Sequence, residues 1–349
     1  MTVALVIGGS GLVGAHLTRE LLDAGWDVIT TQRKPPRQPP EGVRVLPLDL
    51  LDEAGVASSL AGLQGVTHVF YLARAWRPGY LIDLDDNVAA LRRVLDAIQD
   101  WPTLEHVQLV HGLKWYGSTH GPFPTPARET DPTPPGPHFY YRQRALIEER
   151  QRGRGWHWTT LRPHCVSGVT RGSPSNLMLG IGAWAALQAQ WCGTPVPFPA
   201  TQQAFEARLT YTSADLLARA MRWSAQAEAA RNQDFNIANG DTFRWADVWP
   251  GVCGLFGGQP GPASPRRLHE EASRWAPAWR GLCGRKHLAD TDFERLVDWH
   301  FMDASLALQW DQVMSTDRIR AAGFAETVDT PQMIQQILRT YRSRSILPA

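Results

Sequence analysis

Three lysines stand among the 35 basic residues of this chain, and one of them, Lys114, lies in the apolar run from Val107 to Gly117. An ammonium in such a setting either snorkels to solvent or is held for its charge. Two adjacent tyrosines, Tyr140 and Tyr141, follow it. A phenol is an acid/base group when a cation lowers its pKa, and a lysine four residues on along a helix would do so. Neither tyrosine has one: Arg144 follows Tyr140 and Ala145 follows Tyr141 at that spacing. A partly buried Lys114 would favour tyrosinate from elsewhere in the chain. Either tyrosine can carry the active hydroxyl.

A second constellation opens the chain. Gly8, Gly11 and Gly14 follow the β-rich run Thr2 to Ile7 and precede a helical segment. Glycines at these positions permit a tight turn, close approach of a pyrophosphate to backbone N–H groups at a helix N-terminus, and close helix–strand packing. The strand–turn–helix context makes the spacing meaningful. After the second strand the chain offers Arg33 and Lys34 where an NAD site presents a carboxylate to the ribose. Two cations there suit a 2′-phosphate, so NADP(H) is the expected cofactor. Asp49, after the third strand, can accept from the adenine amino group or cap the next helix.

These groups need a sheet to hold them. Strands are expected at Thr2–Ile7, Trp26–Thr31, Val43–Leu48, Val66–Ala73, Val107–Val110 and Trp158–Arg162. Helices are expected at His16–Ala24, Asp52–Leu63, Leu81–Ile98 and Tyr141–Arg150. This alternation implies an α/β fold, a doubly wound parallel Rossmann sheet. Residues 1–165 form the NADP(H)-binding part. Residues 166–349, with most of the fifteen tryptophans and helices at Ser213–Ala230, Trp245–Phe256 and Asp290–Trp310, form a mostly helical substrate-binding lobe that returns some segments to the sheet. The Pro-rich stretch Gly121–Pro137 is a long loop and a candidate lid.

The expected cofactor contacts are Gly8, Ser10, Gly11, Leu12, Val13 and Gly14 in the turn, Arg33 and Lys34, then Asp49 and Leu50. Ala73, Val110, Tyr141, Cys165 and Val166 complete them. Most of these lie at carboxyl ends of strands, where ligands of such sheets bind. Trp76 falls in the same zone and is a candidate substrate contact.

Composition narrows the function further. Hydrophobic content of 43% and charged content of 20% describe a chain able to bury a core. A net charge of +1 argues against general nucleic-acid binding. No apolar run is long enough for a membrane span. Four scattered cysteines, without C-x-x-C spacing, fit reduced thiols in a cytoplasmic protein. His287 and His300 make no ligand spacing with a carboxylate or cysteine, so no metal is expected. Asn239–Asp241 reads as a turn.

The glycine turn, Tyr116-Gly117 and Tyr141 with Glu149 resemble the extended short-chain dehydrogenase/reductases. Lys114 occupies the catalytic serine position of that superfamily, and its tyrosine–lysine pair is missing. The pattern is similar to the progesterone 5β-reductase/iridoid synthase-like branch through Gly112–Tyr116, Phe139–Tyr141, Arg162-Pro163-His164, Phe198-Pro199, Phe235–Trp245, Gly323-Phe324 and Ile346–Pro348. That resemblance implies NADPH-dependent 1,4-reduction of a small hydrophobic enone, with Tyr141 and Lys114 stabilising the enolate. It also places Phe123 and Phe301 in the substrate pocket. Trp115 replaces the histidine usual after the lysine, and Ser118–His120 look inserted. Both lie near the presumed pocket, which makes Trp115 a candidate substrate contact and leaves the plant enzymes' substrates uncarried. The alternatives are an NADP-dependent carbonyl reductase or epimerase-like enzyme and a non-catalytic NADP(H) sensor. Helix 84–98 and the helix after Tyr141 can pair across a two-fold axis; homodimer and monomer stay open.

Overall fold

A computed structural model describes residues 2–34, 36, 38–63, 65–74, 84–170, 172–193, 195–289 and 291–349. The first half alternates strand and helix: β1 (Val3–Ile7), α1 (Leu12–Asp23), β2 (Asp27–Gln32), β3 (Val43–Pro47), α2 (Glu53–Ala61), β4 (His68–Tyr71), α3 (Leu84–Ile98), β5 (His106–Val110), α4 (Phe139–Gln151) and β6 (His157–Pro163). A 3-10 turn, Leu113–Tyr116, follows β5. The second half runs β7 (Val166–Ser167), α5 (Leu177–Leu187), β8 (Val196–Phe198), α6 (Gln202–Glu206), β9 (Thr212–Ser213), α7 (Ala214–Gln226), β10 (Gln233–Ile237), α8 (Trp245–Leu255), β11 (Pro260–Ala263), α9 (Leu268–Lys286), α10 (Phe293–Leu296), α11 (Trp299–Leu306), α12 (Asp317–Ala321) and α13 (Thr330–Ser343).

Seven strands form one sheet in the order β10-β6-β5-β4-β1-β2-β3, and every pairing is parallel. The order reverses direction between β1 and β4, so their carboxyl ends open a crevice of the kind that binds ligands in doubly wound sheets. Period-two alternation divides β1 between two cores. Leu5 and Ile7 join the apolar cluster under α2, α3 and α4, whereas Ala4 and Val6 join the cluster under α1 and α7.

The six expected strands are present within one or two residues of their limits. The seventh, β10, pairs with β6 from Gln233↔Thr159 to Ile237↔Pro163 and brings part of the second half into the sheet. A third apolar cluster, built mainly on α5, α8, α9, α11 and α13, forms the lobe. The single helix expected over Asp290–Trp310 is instead α10 and α11. Val297 is extended between them, and Asp298 caps α11 by accepting from the backbone N–H groups of His300 and Phe301. Among the described residues no helix is long and apolar enough to cross a membrane.

Candidate active site

The glycine turn is closed by backbone contacts. Gly8 has φ +93°, and a β-carbon there would lie 3.1 Å from the Ala73 amide nitrogen, so the turn fits tightly against the end of β4. A β-carbon on Gly14 would lie 2.3 Å from the Gly8 carbonyl oxygen. Gly11 caps α1 with no side-chain hydrogen bond, which leaves first-turn N–H groups of that helix for an anion. Ser10 is exposed beside them, Leu12 is buried and Val13 half-buried. The cradle fits a dinucleotide pyrophosphate. Arg33 and Lys34 stand exposed just past β2.

The other expected cofactor contacts are spread around this crevice. Asp49 is exposed and accepts from the Leu51 amide at 3.0 Å, while Asp52 caps α2. The half-buried Leu50 gives its carbonyl to Arg93 at 3.1 Å. Ala73 and Val110 are half-buried at the ends of β4 and β5. Cys165 holds a left-handed φ of 41°, with Ser167 donating to its carbonyl at 3.0 Å, and Val166 pairs with Thr212. Burial pushes the Cys165 thiol up to about 12, so it stays protonated.

Lys114 lies on the 3-10 turn, partly buried. Burial, and after it the Arg74 guanidinium, lower its pKa to about 8. Arg74 follows Ala73 off the end of β4 and donates to the hydroxyl of Tyr140. The Tyr140 ring lies between His111, at 4.7 Å, and His138, at 4.5 Å. His138 caps α4, its Nδ1 accepting from the Tyr140 amide at 3.1 Å. Burial first, then Lys114 and Arg74, hold that imidazole down at about 4, in the neutral form that the cap requires. Gly112 completes the enclosure: a β-carbon there would stand 3.5 Å from the Tyr140 hydroxyl.

Tyr141 points elsewhere. Its hydroxyl donates to the Trp115 carbonyl at 2.7 Å, and its ring meets that indole edge-on at 4.9 Å. Burial raises its pKa, opposed by Arg162. The sequence suggested the opposite direction, toward tyrosinate; the cation that acts on this phenol is Arg162 rather than Lys114, and desolvation outweighs it. Trp115 packs against His111 at 5.6 Å and Arg162, whose guanidinium lies 3.8 Å from the ring centre, and it lines an open cavity with Tyr141, Arg144 and Arg162. Phe123 packs against the sheet core and Phe301, on α11, against the lobe core. Trp76 lies outside the described residues.

The loop after Gly117 is tied to the second half of the chain. Trp310 donates to the Ser118 carbonyl at 3.1 Å, and Ala127 exchanges backbone bonds with Val313 and Ser315 at 2.8 and 2.9 Å. Arg74, His111 and His138 were not foreseen, and Arg162 entered only within the Arg162-Pro163-His164 resemblance, with no role. Arg74 had a signal, standing next to Ala73 at a strand end. His111 and His138 owe their positions to tertiary packing.

The fold, together with the family model and the relatives named next, makes this protein an oxidoreductase of the extended short-chain dehydrogenase/reductase class. Within it, residues 46–270 match the PRISE-like Rossmann-fold domain, and the chain belongs to that family. An (S)-8-oxocitronellyl enol synthase of Nepeta racemosa is 30% identical over 322 residues, covering 87% of this chain and 81% of that protein. A 3-oxo-Delta(4,5)-steroid 5-beta-reductase of Arabidopsis thaliana is 32% identical over 274 residues, covering 73% of this chain and 69% of that one. In fold, the chain is similar to a UDP-glucose 4-epimerase of Thermus thermophilus, solved with NAD. The TM-score is 0.70 at 20% identity, over 98% of this chain and 99% of that one.

Proposed function

We propose that this protein is an NADPH-dependent enone 1,4-reductase, with Lys114 and a tyrosine of the 140–141 pair stabilising the enolate. The observation that carries the reading is the partly buried Lys114 on the turn after β5, sharing its Arg74 neighbour with the Tyr140 hydroxyl. The names of the enol synthase and steroid reductase relatives support the same chemistry.

Gly8 to Gly14 would hold the pyrophosphate, and Arg33 with Lys34 the 2′-phosphate. When bound, the reduced nicotinamide supplies a hydride to the substrate's β-carbon. Negative charge then develops on the carbonyl oxygen, and fixed donors at that point are worth about 3–4 kcal/mol each. Lys114 supplies positive potential there. Tyr140 supplies the hydroxyl: it accepts from Arg74, which leaves its own hydrogen to donate, and the two imidazoles flanking its ring fix the rotamer. Tyr141, the hydroxyl expected from the sequence, already spends its hydrogen on Trp115. Phe123, Phe301 and Trp76 are candidate walls for a small hydrophobic substrate. Ketone reduction would need full proton transfer to the oxygen, for which the tyrosine–lysine pair one turn apart is missing.

NADPH oxidation with 2-cyclohexen-1-one, with progesterone and with a simple ketone tests this. Turnover of at least one enone and not of the ketone is expected; activity on the ketone alone overturns the reading.

A further inference from the structure

Arg162 is 2% exposed in β6, and its Nε has no hydrogen-bond partner among the described residues. Its Nη1 donates to the Tyr116 hydroxyl at 3.2 Å, and its Nη2 pairs with Asp234 at 3.2 Å. Tyr116 passes its own hydrogen to Asn236 on β10 at 2.7 Å, and the Asn236 backbone N–H donates to Glu129 at 2.7 Å. The face of the guanidinium covers the Trp115 ring. A buried ion pair is weak support for stability, because desolvation offsets the attraction. What it does well is fix geometry.

The geometry fixed here is the turn that carries Lys114. Trp115 and Tyr116 are the two residues after the lysine, and Arg162 holds one by its ring and the other by its hydroxyl. The Tyr141 hydroxyl holds the Trp115 carbonyl from the α4 side. A planar fork does both jobs at once, which an ammonium cannot. We propose that Arg162 is a positioning residue for Lys114, clamping the Leu113–Tyr116 turn from beneath through Trp115 and Tyr116. This rests on the proposed function only in naming Lys114 catalytic; the clamp itself is a statement about geometry.

The test uses the three lysines of the chain. Reductive 13C-methylation labels the three lysine ε-amino groups and the α-amino terminus, and the Lys114 signal is the one lost in Lys114→Arg. In wild type the Lys114 signal is expected to titrate at about 8. In Arg162→Met the loosened turn lets water reach the ammonium, and the midpoint climbs toward the ordinary lysine range of about 10.4. Enone kcat falls at least about tenfold while the Kd for NADPH changes less than about threefold, a geometric loss of transition-state contacts. Arg162→Lys keeps the charge without the stacking and does not restore kcat. If Arg162→Met does not fold, Tyr116→Phe removes one arm of the clamp and gives the same shift in smaller measure. An unmoved Lys114 midpoint together with kcat within twofold of wild type overturns the proposal. A wild type without enone turnover whose Lys114 midpoint still moves in Arg162→Met refutes the enone reading and leaves the clamp standing.

Discussion

The Tyr141 hydroxyl donates to the Trp115 carbonyl at 2.7 Å, and Trp115 is the neighbour of Lys114 in the chain. The sequence pairs Lys114 with Tyr141; the structure links them through that backbone carbonyl, and gives the Tyr140 hydroxyl to Arg74. Tyr140→Phe should therefore lower enone kcat by roughly a hundredfold, the cost of one fixed donor to a developing oxyanion, with NADPH affinity nearly unchanged. Tyr141→Phe should cost only a few-fold, through a looser turn. Steady-state kinetics with 2-cyclohexen-1-one and NADPH titrations distinguish them. A hundredfold loss in Tyr141→Phe alone would return the active hydroxyl to Tyr141.

Lys114 sets the expected pH dependence. Burial, followed by Arg74, lowers its folded pKa from 10.5 to about 8, so the ammonium is present below that pH and is lost as pH rises through it. Enone kcat should be flat up to about pH 7 and then fall, approaching tenfold per unit above about pH 9 if the charge is required. Arginine stays ionised across this range. Lys114→Arg should lower kcat and abolish the alkaline limb. A limb that survives in Lys114→Arg belongs to another group.

The parallel sheet and the glycine turn were legible because their signals are local: β-branched runs, a helical stripe of Val88, Leu91, Leu95 and Ile98, and glycines in strand–turn–helix context. The choice between Tyr140 and Tyr141 was not. Adjacent helical residues point about 100° apart, and only the packing of His111 and His138 around one ring shows which faces Gly112. β10 was hidden for a related reason, since its five residues become a sheet strand only by pairing with β6. α9 contains Pro277, Gly281 and Gly284, residues that argue locally against a helix, and tertiary burial of Leu268, Trp279 and Leu282 overrides them. α13 carries a complete local signal: an Asp329 cap, Pro331 in the first turn, and apolar residues at 333, 334, 337, 338 and 341.

Cofactor preference should rest on the two exposed cations after β2. A 2′-phosphate bound by Arg33 and Lys34 makes charge-assisted hydrogen bonds worth roughly 1.5–3 kcal/mol. Arg33→Ala should weaken NADPH binding about ten- to a hundredfold and leave NADH binding within twofold. Calorimetric titration of both nucleotides, at low and at high salt, gives the answer. An equal loss for both would mean that Arg33 does not read the 2′-phosphate.

Acid should unfold this protein through its buried imidazoles. His106 is fully buried on β5, with Nε2 lacking a partner among the described residues. Burial, then the charges of His68, His157 and Arg231, hold its pKa down at about 3. His68 and His157, its neighbours on β4 and β6 in register, are lowered too, chiefly by burial. The unfolded chain takes up protons near pH 6.5 that the folded sheet refuses, so stability is greatest above that value and declines as pH falls. While it stays neutral in the fold, His106 contributes about 1.4 kcal/mol of loss per pH unit below 6.5, ending when it is protonated there. Urea unfolding at pH 7, 5.5 and 4.5 measures the slope. His106→Gln, which carries no titrating group, should show a slope shallower by one proton. Equal slopes in variant and wild type would mean that His106 is protonated in the folded protein at these pH values, and that the acid loss comes from other groups.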